Sequence, residues 1–290
     1  MKVVPIETRP MLERTNNARP GSYFYNQMLE GDETSPENFS MQLVRTGDAF
    51  HSPRHRHNFD QIRLQLEGEN SYTRDGSMVP GSVAYFPEST PYGPQKTETD
   101  TLIMLLQFGG AGGLGYPSEP VYHKAVGEMK AQGVFKDGFY TPAGSDKGKD
   151  AFEAVWEHIN GRPCVYAPQR YNAAVFMNPE AFDWVPVDGC TGVERKLLGS
   201  FTERKVDIAI ARLEAGASLP LSGRLIGFVN SGDGRIGNSP VGHHTAIEVS
   251  AGESAVLKGG SAVLEVLLIE LPPLVWKSKP TGARRMLEPA

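Results

Sequence analysis

Short runs rich in Val, Ile, Leu and aromatic residues alternate with Gly, Pro and Asp turn signals along most of the chain, the texture of antiparallel sandwiches and barrels. A first set of predicted strands comprises Met41 to Arg45, Ile62 to Leu66, Ser82 to Phe86 and Thr101 to Phe108. The glycines Gly109, Gly110, Gly112, Gly113 and Gly115 close it, since backbone that free suits an exit from a folded unit. Over 115–192 the pattern changes. Val121 to Gln132 and Lys149 to Asn160 have helical spacing, with Phe152, Val155, Trp156 and Ile159 on one apolar face.

A second strand-rich block follows, with Val206 to Leu213, Leu225 to Asn230, Ala246 to Val249, Glu253 to Leu257 and Val263 to Leu271. The expected division is a β unit over 1–114, a partly helical connecting region over 115–192, a second β unit over 193–275 and a surface tail over 276–290. The two blocks echo one another: Arg45-Thr46-Gly47 answers to Glu214-Ala215-Gly216, and Pro80-Gly81-Ser82 to Ala251-Gly252-Glu253. A degenerate internal duplication is the expectation. Length agrees, because single cores stop growing near about 250–300 residues and this chain has 290.

Charge narrows the functions. With a net charge of −5 and scattered Lys and Arg, the chain has no basic stripe to neutralise phosphates, so nucleic acid is excluded as a partner. The opening MKVVPIETRP lacks the apolar run of a signal peptide, and no stretch approaches the ~20 apolar residues of a membrane span. A soluble, cytoplasmic protein without membrane partners is expected. Cys164 and Cys190 are too few for a disulfide framework and read as buried structural thiols.

The chemistry concentrates between Gly47 and Pro94. His55 and His57 are two apart, so on an extended strand both imidazoles enter the same space, and neutral imidazole is a common ligand of Zn, Fe, Ni and Cu. On the next strand Gln61, Arg63 and Gln65 share one face, while Ile62, Leu64 and Leu66 share the other. A polar interior is the mark of a barrel that holds a ligand, since filled barrels are apolar inside. Arg63 there suits an anionic or carbonyl-bearing substrate, or an ion pair with an interior carboxylate. His243 and His244, being adjacent, point to opposite faces and read as structural or surface residues, as do the isolated His123 and His158.

In order, Gly47, His55, His57, Gln61, Gly68, Pro80-Gly81, Pro87 and Tyr92 resemble the two consecutive motifs of the cupin superfamily, closely in the first block and in outline in the second. The resemblance implies an all-β fold: two cupin-type barrels (double-stranded β-helix, or jelly-roll) joined by a partly helical connector. It further implies one divalent first-row metal ion per chain, Fe, Mn, Ni, Cu or Zn, held by His55, His57, Gln61 and Tyr92. Gln61 stands where these proteins generally carry glutamate, and Tyr92 where they carry the last histidine. A neutral amide compensates less of the metal's charge, and a phenol must be ionised by the metal itself. Asp60, if the strand bulges there, or His51 is a substitute ligand. The matching positions of the second block fall near Arg224, Ile226 and Ala262 or Val263, which leaves no ligand set there.

The activity implied is metal-dependent chemistry on a small organic molecule, foremost of the dioxygenase type, with isomerase or lyase chemistry as a variant. In it Arg63 offsets substrate charge and Tyr92 donates a hydrogen bond or proton, the two catalytic candidates. The competing reading is a non-enzymatic binder of a sugar or organic acid, in which the altered ligands reflect lost chemistry. Pairing of two chains through outer sheet faces is a further expectation from the family.

Overall fold

The computed structural model describes residues 1–14, 18–32, 35, 38–47, 50–109, 117–201 and 205–272. The expected boundary among the glycines 110–115 and the tail 276–290 lie outside the described residues. Two compact units emerge: one combines Met1–Pro10 with Asn178–Pro273, and the other is built on Met11–Met177.

The Met11–Met177 unit has a seven-stranded sheet in the order Val175–Met177, Val83–Phe86, Phe59–Glu67, Thr101–Gly109, Phe39–Thr46, Tyr23–Glu30 and Leu12–Glu13. A four-stranded sheet of His51–Ser52, Gln95–Lys96, Asn70–Ser71 and Ser77–Met78 accompanies it. Every pairing is antiparallel. The strands form where the apolar runs predict them: three of the four run one to three residues further at an end, and the fourth begins one residue later than expected, at Val83. Two helices belong to the same unit: α1, Glu119–Lys130, with Pro120 in its first turn, and α2, Ala151–Asn160. The Asp150 side chain caps α2 by accepting from the Glu153 N–H at 3.1 Å. Gly161, left-handed at φ 62°, ends it. No helix among the described residues is long and apolar enough to cross a membrane.

The other unit repeats the order strand for strand: Lys2–Val4, Ala246–Val249, Leu225–Ser231, Leu264–Glu270, Val206–Leu213, Val193–Phe201 and Val185–Pro186, with a second sheet of Ser218–Ser222, Ser254–Gly259, Gly234–Ile236 and Ser239–Val241. Its interior is aliphatic, with Leu219, Leu221, Leu257, Leu264 and Val266 all buried in one cluster. The pair Ser218–Ser222 and Ser254–Gly259 takes the place that His51–Ser52 and Gln95–Lys96 hold in the first unit. The positions answering to the His-x-His segment therefore lie near Leu219 and Leu221, not near Arg224 and Ile226.

The connecting region is less separate than its texture predicts. Val175–Met177 completes the first unit's large sheet by pairing with Val83–Tyr85. Gly133–Lys136 and Phe139–Pro142 form a hairpin between the helices that periodicity did not predict. Gly68 closes the strand Phe59–Glu67 at φ +66°, and a Cβ there would meet the Asp100 carbonyl oxygen at 2.3 Å. Gly68→Ala is expected to cost roughly 1–3 kcal/mol, from a left-handed non-glycine residue pressed on backbone. Urea unfolding checks this, and an unchanged midpoint would refute it.

Candidate small-molecule site

A cavity of about 130 Å³ lies inside the Met11–Met177 unit. Its polar wall comes from alternation: Gln61 and Arg63 line it from the strand Phe59–Glu67, with Gln65 on the same face of that strand, and all three are buried. Ile62 and Leu64 are buried on the opposite face. His55 and Tyr92 sit opposite each other in an isolated antiparallel bridge, with His55 N–H donating to Tyr92 O at 3.1 Å and Tyr92 N–H to His55 O at 3.0 Å. That bridge sets their side chains together. The His55 Nδ1 lies 2.6 Å from the Pro53 carbonyl, which can only accept, so Nδ1 carries the proton and Nε2 is the acceptor. The Tyr92 hydroxyl donates to that Nε2 at 3.0 Å and accepts from Gln61 Nε2 and Arg63 Nη2, each at 3.1 Å.

Arg63 is the hub. Its Nη1 donates to Tyr72 Oη at 2.6 Å and Gln95 Oε1 at 3.2 Å, and its Nη2 donates to Gln61 Oε1 at 3.0 Å as well as to Tyr92. Every one of these acceptors is neutral. Beyond them the amides pass the orientation on: Gln95 donates to Asn70 at 2.8 Å, Asn70 to Gln65 at 2.9 Å, and Gln65 to the Glu67 carbonyl at 2.8 Å. Among the described residues, the buried Arg63 Nε–H has no hydrogen-bond partner, and neither has the buried Nδ1 of His57. His57 stacks on Phe59 with centroids 4.6 Å apart and meets Phe152 of α2 edge-on at 4.3 Å.

Glu119, at the start of α1, supplies a carboxylate to the cavity. It pairs with Arg14, accepts from Gln42 Nε2 at 3.1 Å and lies 3.4 Å from His123 Nε2. Burial pushes its carboxyl up, but the Arg14 guanidinium with the His123 and Gln42 hydrogen bonds outweighs this and holds it at about 2. Burial pushes both His55 and His57 well below the ordinary histidine value, and the positive charges of Arg19 and Arg63 push the same way. The folded unit thus keeps two neutral imidazoles. The unfolded chain takes up protons first on acidification, so stability is full above about pH 6.5 and is lost as pH falls through and below it. A lower unfolding temperature at pH 5 than at pH 7.5 is expected, with a shallower fall in His55→Gln/His57→Gln; equal slopes would refute the assignment.

The structure brings His55, His57, Gln61, Arg63 and Tyr92 to one cavity. It does not bring Asp60 or His51 there. Asp60 is fully buried on another network, accepting from Tyr85 Oη at 3.1 Å, Glu88 N–H at 2.9 Å and Arg170 Nη2 at 3.3 Å. His51 is half-buried on the strand His51–Ser52, outside the cavity lining. Neither completes a ligand set. Sequence reading missed Arg14, Arg19, Tyr23, Gln95, Gln107 and Glu119, which reach the cavity from distant segments. Among the remaining histidines, His158 pairs with Glu128, and His243 stacks on His244, with its Nδ1 2.8 Å from the Asn230 carbonyl. Cys164 and Cys190 are free thiols, each half-buried.

The hydrogen bonds of the donor set decide whether it can hold a divalent metal. The two neutral imidazoles, 4.9 Å apart, suit one. Gln61 and Tyr92 do not. The Gln61 oxygen already accepts from Arg63 and, at 3.2 Å, from Gln107, and Tyr92 is bonded to the same guanidinium. A permanent cation thus holds two of the four expected ligands, and none of the four is an anion. Among the described residues no group of three or more His, Cys, Asp or Glu side chains is placed to hold a metal. As arranged, these four residues do not fit the ion.

Neither a family model nor a curated protein sequence matches the chain. Solved structures do. A candidate dioxygenase of Nostoc punctiforme is similar over 96% of this chain and 85% of its own, with a TM-score of 0.62 and 10% identity. GK1651 of Geobacillus kaustophilus is similar over 94% and 97%, with 0.53 and 12%. Oxalate decarboxylase of Bacillus subtilis is similar over 94% and 76%, with 0.55 and 14%. At such identities the likeness concerns the fold. With the strand orders above, it identifies this chain's architecture as the all-β jelly roll of the cupin proteins.

Proposed function

We propose that the cavity of the Met11–Met177 unit binds a small organic anion, with Arg63 as its counter-charge and without a divalent metal. One observation carries this reading: a buried guanidinium makes four hydrogen bonds to neutral acceptors, keeps its fifth donor unpaired and lines an open cavity. An uncompensated buried charge costs several kcal/mol, and a buried unpaired donor about 1–3 kcal/mol. An anion in the cavity, which Arg63 lines, offsets the charge.

The metal-dependent enzyme of the dioxygenase type is the second reading, favoured by the paired neutral imidazoles. It requires His55 to leave Tyr92 and Gln61 to leave Arg63. Calorimetric titration of acetate, succinate and benzoate into chelator-stripped protein separates the two readings, alongside elemental analysis of a preparation never exposed to a chelating resin. Binding of a carboxylate by stripped protein is expected. About one metal ion per chain, lost in His55→Ala/His57→Ala, with anion binding only in metal-loaded protein, would overturn the proposal.

A further inference from the structure

Resting on that reading, we infer that the ligand is a monoanion with a compact apolar body, a small aryl or branched carboxylate, and that di- and tricarboxylates are discriminated against. The register of the large sheet divides the cavity. On its inner face Arg63 stands directly opposite Leu105, and Gln65 opposite Ile103, which in turn faces Val44 on the next strand. One strand therefore presents the guanidinium and amides, while its neighbours present an aliphatic patch of Leu105, Ile103 and Val44 bordered by Gln107, Gln42 and Thr46. Ile103, Leu105, Val44 and Phe50 form a single buried cluster with Tyr23. A carboxylate placed on Arg63 has this patch directly beside it to receive an apolar body.

Charge and volume set the other limits. Arg14 is paired with Glu119, and Arg19 has the Asp150 carboxylate at 3.6 Å, so each of these cations has a carboxylate of its own. Among the described residues, Arg63 has neutral partners only. One positive charge is left to balance, and a second carboxylate would enter beside aliphatic side chains and the anionic Glu119. The volume, about 130 Å³, approaches the ~150 Å³ apolar cavity known to hold benzene, which suits a body of about six heavy atoms.

The experiment uses the full chain and four probes in calorimetry: benzoate, its neutral isostere benzamide, acetate and succinate. Benzoate is expected to bind at least tenfold more tightly than each of the others. Tighter binding of succinate or acetate than of benzoate would overturn the inference while leaving an anion site in place. Equal binding of benzoate and benzamide would show a site indifferent to charge and overturn the reading beneath it. Failure of every carboxylate to bind would remove both.

Discussion

Arg63→Met is expected to weaken carboxylate binding by about 2–5 kcal/mol, which is roughly thirty- to several-thousand-fold in Kd. The substitution keeps an unbranched side chain over the rings of Phe86 and Tyr92, which lie 4.6 and 5.3 Å from the guanidinium carbon, but deletes the cation. Arg63→Lys separates charge from shape. A lysine keeps the point charge and loses the planar fork that bonds Tyr72, Gln95, Gln61 and Tyr92 at once, so an intermediate affinity is expected. Both variants are compared by calorimetry after circular dichroism establishes an unchanged fold. A folded Arg63→Met protein with wild-type affinity would end the proposal.

The largest expected loss of stability lies away from the cavity. Asp60 and Glu88 are both fully buried, and Arg170 reaches them at 3.3 and 2.6 Å. Arg170→Met removes the cation that these carboxylates share and is expected to cost about 3–5 kcal/mol, because it leaves buried negative charge behind. Urea unfolding at pH 7.5 measures the effect, and a loss below about 1 kcal/mol would contradict the assignment.

Legibility followed the regularity of the local pattern. Val206–Leu213 and Ala246–Val249 were readable to the residue, because unbroken apolar runs between turn residues leave little choice. Tyr23–Glu30 and Val193–Phe201 were not, and each carries a register shift, between Gln27 and Leu29 and between Leu197 and Gly199. A bulge breaks the period of two that sequence reading relies on. The same limit applied to the site. His55, His57, Gln61, Arg63 and Tyr92 were found because a short motif carries them. Arg14 and Glu119 owe their place to pairing across 105 residues, which no local spacing announces. Phe152 was readable as part of a buried helix face but not as a neighbour of His57. The charge logic of the cavity was legible least of all, since whether Arg63 has a carboxylate depends on where every interior acid falls.

The edge strands determine what can be cut from this protein. The sheet built around Phe59–Glu67 ends on Val175–Met177, from beyond both helices, while Lys2–Val4, at the chain's beginning, finishes the sheet around Leu225–Ser231. A fragment 1–114 would carry away a strand that belongs elsewhere and lack one of its own, leaving the backbone N–H and C=O groups of Val83–Tyr85 without partners. Open edges of that kind template strand exchange and aggregation. Portability belongs instead to residues 11–177 as one contiguous piece. The remaining unit can be isolated only by a graft that joins residues 1–10 to 178–273 across the gap, and homologous recombination at the apparent mid-chain boundary would yield chimaeras prone to domain swapping.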